Sequence, residues 1–471
     1  MIVDNKPHSR NALESVNYST EQWELLRNRL SHRTVRSLCE DKNNPNLLIF
    51  PHCLGDRRKE FCDTPICSIM DDTITTSNLM GFIGVQDGKV SAELSIRSRF
   101  HCSNDNEQDY FLHYMLQKVF HFNIFNLPTS SGDSESFEFI LFHLFTHYLK
   151  KAVKQGLFKQ YRKCEYNDAN VRGVIDIPRH IRYNMPFNGK VAYRTSEYKY
   201  DNPVTQLIRH TIEYIRRSPV AGNVLKCDKS TDEAVRTIYD ITTSYNANDR
   251  QRIINQNLKP VKHPFYTQYT FLQRLCLHIL RHKKMSYSPS ENKVYGILFD
   301  GAWLWEEYLA TILCEKGFIH AVQGEGNGFQ LYKGGNQRFP DFYSLKERVV
   351  LDAKYKRLNN GIQRNDLYQL IAYIHTLNDG DTASVEGAEY GAFIYPYDGE
   401  DDKNKSMSWK ELFGMGRYIG VIPIEIPNCC DSYESFVEQI SHKEDNLEKI
   451  DFVKCLSNQN EVLGEISLCE E

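Results

Sequence analysis

Two carboxylates and an amine late in the chain have the residue types and spacing for metal-dependent phosphodiester chemistry. Asp341 precedes one apolar run, and Asp352 and Lys354 stand two residues apart in the next. Side chains two apart share one face of a strand. A β-hairpin over residues 338–356 would therefore place all three groups on a polar face, with an apolar buried face opposite. Neighbouring carboxylates raise each other's pKa unless a cation lies between them.

A divalent cation would resolve that repulsion. Oxygen ligands that leave room for water favour Mg²⁺, with Mn²⁺ as a substitute. Lys354 would then orient or deprotonate a water and offset charge on a phosphate. An Asp-x-Lys strand is also common on protein surfaces, so the pattern alone does not establish a site.

Two predicted helices flank the hairpin and add polar residues to it. The helix before it, residues 303–314, carries Glu306 on an apolar stripe, where an unpaired carboxylate is costly. The helix after it carries Asp366, Gln369 and Tyr373 at spacings of three and four, which places them on one face. A helix, two strands and a helix thus converge on the same carboxylates.

The length and pattern of the chain predict an α/β (α+β) protein of several domains. With 471 residues, it exceeds the size at which a single core keeps growing. The sequence predicts a small β-rich domain over residues 1–130 and a mostly helical region over 131–285. An α/β domain with a mixed sheet flanked by helices follows over 286–455, and a mobile tail over 456–471. In the first, we expect a helix over 20–39 and a hairpin turning at Asp87-Gly88.

Charge and composition exclude several classes of protein. The formal net charge of −4 excludes a globally basic coat protein for nucleic acid. A local basic and aromatic segment around Arg172 and Arg179 suits contact with DNA, although a merely solvated basic surface is an alternative. The sequence has no apolar run of membrane-spanning length and no export signal, which predicts a cytoplasmic protein. Its 13 cysteines lack Cys-x-x-Cys pairs and are interpreted as reduced thiols.

The chain has no sequence pattern for cradling the phosphates of a nucleotide. The Gly-Lys pairs at residues 88–89 and 189–190 lack the following Ser or Thr and the upstream glycine of such a loop. We therefore expect no nucleotide hydrolysis by this chain alone.

The order of these motifs resembles that of the PD-(D/E)xK nuclease superfamily. Over most of its length, the sequence resembles the McrC family. The likeness includes Arg172-Gly173-Val174-Ile175-Asp176, Leu304-Trp305-Glu306, Pro340-Asp341, Asp352-Ala353-Lys354-Tyr355-Lys356, and Gln369 with Tyr373. It implies that Asp341, Asp352 and Glu306 serve the metal and that Lys354 serves the attacking water. It also implies that Gln369 and Tyr373 contact DNA or steady the site. We expect the DNA-binding residues to be Arg172, Arg179, Lys356 and Gln369.

The McrC resemblance further implies a Mg²⁺-dependent DNA endonuclease in a modification-dependent (5-methylcytosine-type) restriction system that defends against foreign DNA. Its implied partners are modified DNA and a McrB-like AAA+ GTPase hexamer. The N-terminal region would dock on that ring and stimulate it, and the C-terminal domain would cut DNA. Two alternatives stay open: a non-catalytic adaptor of an AAA+ motor, and a stand-alone metal-dependent DNA nuclease.

Overall fold

The computed structural model divides the chain into two compact units. The first combines Met1–Asn126 with Asn292–Glu471, and the second is Leu127–Glu291. The structure describes residues 2–10, 18–41, 46–55, 58–88, 90–101, 109–120, 133–221, 223–285, 293–321, 328–330, 337–358, 361–377, 387–399, 408–412, 414, 416–428 and 430–448. The predicted tail, 456–471, lies outside these ranges. Among the helices within them, none has the length and apolar character of a membrane span.

The N-terminal part of the first unit is rich in short strands. Its elements are β1 (Ile2–Val3), β2 (Pro7–Ser9), α1 (Thr20–Leu30), α2 (Val35–Cys39), β3 (Asn46–Phe50), α3 (Lys59–Cys62), β4 (Cys67–Met70), β5 (Thr73–Thr76), β6 (Leu79–Asp87), β7 (Val90–Arg97) and α4 (Tyr110–Phe120). The predicted hairpin turn is confirmed, because β6 and β7 pair antiparallel with Asp87 opposite Val90.

The prediction of one helix over residues 20–39 is wrong. The first helix ends at Leu30, and His32 has a φ of 57°, which lies outside the helical region. A new helix begins after Thr34, whose side chain accepts a hydrogen bond from the backbone N–H of Ser37 and so caps α2. The local pattern of polar and apolar residues carries no sign of this break.

The second unit consists of long helices and one small sheet. Its elements are α5 (Asp133–Gln155), β8 (Gln160–Asp168), β9 (Val174–Ile175), α6 (Ile177–Asn184), β10 (Val191–Lys199), α7 (Pro203–Arg217), α8 (Lys229–Ile241), α9 (Arg250–Gln256) and α10 (Thr267–Met285). The basic and aromatic segment forms the antiparallel sheet, in the order β8–β10–β9. Asn202 caps α7 by accepting hydrogen bonds from the backbone N–H groups of Val204 and Thr205.

The C-terminal part of the first unit holds the predicted hairpin and its flanking helices. Its elements are β11 (Lys293–Asp300), α11 (Gly301–Leu313), β12 (Ile319–His320), β13 (Phe329–Gln330), β14 (Gln337–Arg338), β15 (Phe342–Ser344), β16 (Val349–Ala353), α12 (Arg364–Thr376), β17 (Tyr390–Tyr397), β18 (Ser408–Leu412), β19 (Arg417–Glu425) and α13 (Tyr433–Glu448).

The two larger sheets of the first unit draw on different parts of the chain. One has the order β12–β15–β16–β17–β19–β18, with parallel pairing at its centre, and is the predicted mixed sheet. The other has the order β1–β7–β6–β11–β3. Residues 1–130 and 286–455 are predicted as separate domains, but β11 pairs with β6 and β3. The two segments therefore share a sheet and form one compact unit.

Strand β16 is buried on both faces, which corrects the expectation of one open polar face. Val349, Val350, Leu351 and Asp352 are all buried. Helix α12 packs against the sheet through Leu370 and Ile374, which lie in one core cluster with Val350. The acidic side chain of Asp352 thus lies in a largely apolar layer, where an unpaired charge is unfavourable.

Candidate active site

The register of the β15–β16 hairpin places Asp341 beside Asp352. Phe342 pairs with Leu351 in antiparallel fashion, so Asp341 and Asp352 are the next residues on the two strands, just beyond that pair. The backbone N–H of Ala353 donates a hydrogen bond of 2.7 Å to Oδ2 of Asp341. This bond fixes the Asp341 carboxylate at the end of β16, as the predicted hairpin requires.

The carboxylates of this site repel one another. Burial raises the pKa of Asp341 well above its usual range, and the charges of Glu306 and Asp352 raise it further. Burial also raises the pKa of Asp352, although the nearby Lys354 opposes that rise. Such like-charge crowding out of water is what a bound cation would relieve.

Lys354 compensates part of this negative charge. Its Nζ lies 2.5 Å from Oδ2 of Asp352 and 3.6 Å from Oδ1 of Asp366. Burial acts to lower the pKa of Lys354, but the carboxylates of Asp352, Asp366 and Asp341 outweigh it and raise that pKa. The amine is therefore held as an ammonium ion, which donates hydrogen bonds and cannot accept a proton.

Asp366 belongs to the site, although the sequence-based prediction assigns it no role. It contacts Lys354 and also forms an ion pair with Lys356 from the first turn of α12, so one carboxylate tethers both lysines. The signal was present in the sequence, because Asp366 shares a helical face with Gln369 and Tyr373.

Gln369 and Tyr373 contact each other on α12. Nε2 of Gln369 donates to the Tyr373 hydroxyl at 3.1 Å, and that hydroxyl donates to the carbonyl of Phe339 at 3.2 Å. Tyr373 is buried, and burial raises its pKa, with Asp341 and Asp352 contributing. The pair therefore ties α12 to the segment that leads into Asp341, while Gln369 stays exposed.

Glu306 is held by a histidine that the sequence did not point to. Nε2 of His320 lies 2.8 Å from Oε1 of Glu306, and the His320 ring stacks on Phe342 at 5.0 Å between centroids. The Glu306 side chain is 27% exposed, so it lies at the border of the core and not within an apolar stripe. No spacing rule links residues 306 and 320, since β12 reaches Glu306 only through its pairing with β15.

Tyr355 anchors the end of β16 to the N-terminal strands. Its hydroxyl lies 2.7 Å from the Ser98 hydroxyl, and both side chains are buried. The guanidinium of Arg99 lies 4.9 Å from the centre of the Tyr355 ring. At the start of α11, a Cβ on Gly301 would come within 2.5 Å of that ring, so glycine leaves room for it. Lys354 is thereby adjacent to a firmly packed residue.

The donors suit a hard divalent cation, although they are not gathered into a finished ligand set. Asp341, Asp352 and Glu306 supply oxygen atoms, which Mg²⁺ prefers. The buried Oδ2 of Asp352 accepts no well-directed hydrogen bond from the residues that the structure describes, and its ion pair with Lys354 neutralises it. Within the described ranges, no three acidic, histidine or cysteine side chains are close enough together to hold a metal as they stand.

The predicted DNA contacts Arg172 and Arg179 belong to the second unit, unlike the carboxylate cluster. Arg172 is 62% exposed, lies 5.5 Å from the Tyr166 ring centre and is 3.9 Å from Asp168. Arg179 is less accessible, because Glu165 lies 3.4 Å from it and Asp176 3.9 Å. Of the two, Arg172 is the more accessible to a phosphate.

Comparison with known proteins identifies one family. A family described as "McrBC 5-methylcytosine restriction system component" matches residues 74–396, more than half of the chain. Two solved structures from Thermococcus gammatolerans are similar. A half-complex of McrB AAA+ hexamers with bound McrC has 13% identity and a TM-score of 0.43, covering 94% of this chain and 99% of that one. The McrBC complex has 11% identity and a TM-score of 0.32, covering 66% of this chain and 86% of that one. No curated protein matches.

Proposed function

This chain belongs to the McrBC family of restriction system components, and on that premise we propose that it is the McrC-like nuclease subunit. In this proposal it cleaves DNA phosphodiesters with Mg²⁺ in a modification-dependent, 5-methylcytosine-type restriction system. The substrate is foreign DNA that carries the modification, and the site of cleavage is the carboxylate cluster of the first unit.

One observation carries the proposal: the hairpin register brings Asp341 beside Asp352, Nζ of Lys354 lies 2.5 Å from Oδ2 of Asp352, and Glu306 from α11 is near enough for its charge to raise the pKa of Asp341. These residues come from α11 and the β15–β16 hairpin, and with α12 after them the order of the elements resembles that of a PD-(D/E)xK core. Three carboxylates and an ammonium at one end of a buried hairpin have no need to converge for stability, since their repulsion is unfavourable. Their convergence is expected of a catalytic site.

Asp341, Asp352 and Glu306 would hold Mg²⁺, with Mn²⁺ as a substitute. The ion, when bound, supplies Lewis-acid stabilisation of the phosphate and a more acidic water. Asp341 would have to lose the proton that its raised pKa favours. His320 would keep Glu306 turned toward the cluster through its 2.8 Å contact.

Lys354 acts as a donor in this mechanism. As an ammonium ion, it would orient the attacking water and balance the charge that develops on the phosphate. Deprotonation of the water by Lys354 is disfavoured, because the surrounding carboxylates raise the pKa of Lys354. Gln369 is exposed beside Tyr373 and would contact the DNA strand, as would Lys356, which forms an ion pair with Asp366.

We also propose that an AAA+ GTPase of the McrB type is the partner and that this chain stimulates it. The absence of a phosphate-cradling sequence motif agrees with that division of work, since the GTPase would reside in the partner. The N-terminal strands are the proposed docking region. Arg172, the more exposed of the two predicted arginines, would contribute a phosphate contact.

The test is cleavage of methylated plasmid by the full chain with Mg²⁺, GTP and an AAA+ GTPase of the McrB type. Asp352→Ala should lower the cleavage rate by about 100-fold or more, because it removes a metal ligand and the ion-pair partner of Lys354. Glu347→Ala is the matched control, since Glu347 lies in the turn of the same hairpin and is paired with Lys346. It should cut at the wild-type rate.

Three outcomes separate this proposal from its alternatives. Cleavage by Asp352→Ala at the wild-type rate would refute the assigned site. Partner binding without cleavage under any divalent metal would favour a non-catalytic adaptor. Metal-dependent cutting without partner or GTP would favour a stand-alone nuclease.

A further inference from the structure

A basic pocket in the second unit is separate from every residue assigned above. It lies where β8 and β10 meet the start of α7, the end of α9 and the segment 257–263. Its volume of about 750 Å³ is within the range of small-ligand pockets. All of its lining residues belong to the second unit.

The charges around this pocket are of one sign. Lys159, Lys259, Lys262 and His263 line it, and no Asp or Glu is among its described lining residues. Among the described residues, none of the three lysines takes part in an ion pair. A concave surface with uncompensated positive charge attracts anions, and the attraction is stronger in a cleft than on a flat surface.

The wall that carries Lys259 is fixed in place by buried hydrogen bonds. Nε2 of Gln273 donates to the carbonyl of Lys259 at 3.2 Å and to Oδ1 of Asn257 at 2.9 Å, and its Oε1 accepts from the N–H of Val261 at 2.8 Å. Nδ2 of Asn257 donates to the carbonyl of Pro203 at 2.9 Å. Gln273 and Asn257 are both buried. The pocket is therefore preformed, which lowers the entropic cost of binding.

Two exposed tyrosines give the pocket a flat aromatic edge. Tyr161 and Tyr198 pair across β8 and β10, with ring centroids 4.9 Å apart. Tyr161 is 72% exposed and Tyr198 is 49% exposed, so each offers an open ring. Nζ of Lys159 lies 5.6 Å from the centre of the Tyr198 ring, which places a cation next to this pair of tyrosines. Exposed aromatic rings beside cations are typical of surfaces on which nucleic acid bases stack.

We propose that this pocket binds a nucleotide unit, with its phosphate against Lys259 and Lys262 and its base against Tyr161. A bare phosphate would fill only a small part of the volume, and an acidic peptide has no planar ring to match Tyr161. The same chemistry could come from a free nucleotide or from one unit of a single strand. This binding needs neither Mg²⁺ nor the carboxylate cluster, so it stands independently of the proposed nuclease activity.

The experiment measures binding of a fluorescein-labelled oligothymidylate of eight nucleotides to the full chain by anisotropy, in EDTA so that no metal-dependent cutting takes place. Lys259→Gln/Lys262→Gln should weaken binding about 10-fold or more, and Tyr161→Ala should weaken it about 5-fold or more, in the range found for loss of one stacked base. Lys226→Gln/Lys229→Gln is the matched control, because it removes the same charge from the same unit outside the pocket. It should change the dissociation constant by less than about 2-fold.

Competition by thymidine monophosphate, inorganic phosphate and a polyglutamate peptide identifies the ligand. Displacement by the mononucleotide supports a free nucleotide, and displacement only by unlabelled oligothymidylate supports a strand. Displacement by polyglutamate that depends on the two lysines but not on Tyr161 would overturn the proposal in favour of an acidic peptide. Equal weakening by the control pair, or none by the pocket pair, would also overturn it. Unchanged circular dichroism of each variant shows that the fold is intact.

Discussion

Asp341→Asn is expected to stabilise the metal-free protein and to abolish its stabilisation by Mg²⁺. Burial and the nearby charges of Glu306 and Asp352 raise the pKa of Asp341 well above the usual range. An asparagine at this position removes one of the repelling charges. The asparagine side-chain oxygen can still accept the hydrogen bond from the N–H of Ala353, which is 2.7 Å long to Asp341 in the wild type.

The sign and size of the change in unfolding free energy follow from proton linkage. A carboxyl whose pKa is higher in the folded than in the unfolded state makes the fold less stable above that pKa, and each pKa unit corresponds to about 1.4 kcal/mol. We therefore expect Asp341→Asn to raise the unfolding free energy at pH 8 by at least about 1 kcal/mol. The gain should shrink as the pH falls through the folded-state pKa of Asp341 and vanish below the unfolded-state pKa.

Urea denaturation at pH 5 to 8, with EDTA or with Mg²⁺, measures both effects. Wild type should gain up to about 2.7 kcal/mol when Mg²⁺ is 100 times its dissociation constant, and the variant should gain almost nothing. Asp398→Asn is the matched control with the opposite sign. Arg357 Nε lies 2.8 Å from Oδ2 of Asp398, so losing that charge should cost about 1–3 kcal/mol. Destabilisation by Asp341→Asn at pH 8 would refute the reasoning.

Three further predictions concern the site and its supports. Mg²⁺ affinity, measured by calorimetry, should fall as the pH is lowered through the raised pKa of Asp341, because binding displaces its proton; an affinity that does not change with pH would contradict this. Tyr355→Phe should lower the unfolding free energy by about 1–3 kcal/mol, since it leaves the buried Ser98 hydroxyl without this partner; a double-mutant cycle with Ser98→Ala should give a coupling energy of about 1 kcal/mol, and strict additivity would argue against the contact. Asn202→Ala removes the cap of α7 and should cost about 1–2 kcal/mol, visible as faster amide exchange at the start of that helix; unchanged exchange there would show that the cap is dispensable.

Much of the local structure follows from residue periodicity. Two apolar runs on either side of a polar turn predict the hairpin, and the hairpin register alone brings Asp341 beside Asp352. Helical spacing likewise places Gln369 next to Tyr373. These contacts are short in sequence, so a local pattern is enough to predict them.

Contacts between distant segments escape such reasoning. The apolar run in β11 indicates a strand but not the sheet that receives it, since pairing partners are chosen by the whole core. His320 reaches Glu306 through strand pairing, and Tyr355 reaches Ser98 across 257 residues. The protonated state of Lys354 depends on three carboxylates whose distances only a structure supplies.

The central place of β11 determines how this protein can be dissected. Severing the chain near residue 286 would strip β6 and β3 from either side of this strand and leave both of its edges unpaired. Ile297, Leu298 and Phe299, now sealed within the interior, would then face water. Such a fragment would be prone to aggregate, because the unpaired backbone groups at both edges of β11 could pair with other chains. A fragment that is meant to carry the proposed nuclease site must therefore retain the amino-terminal strands.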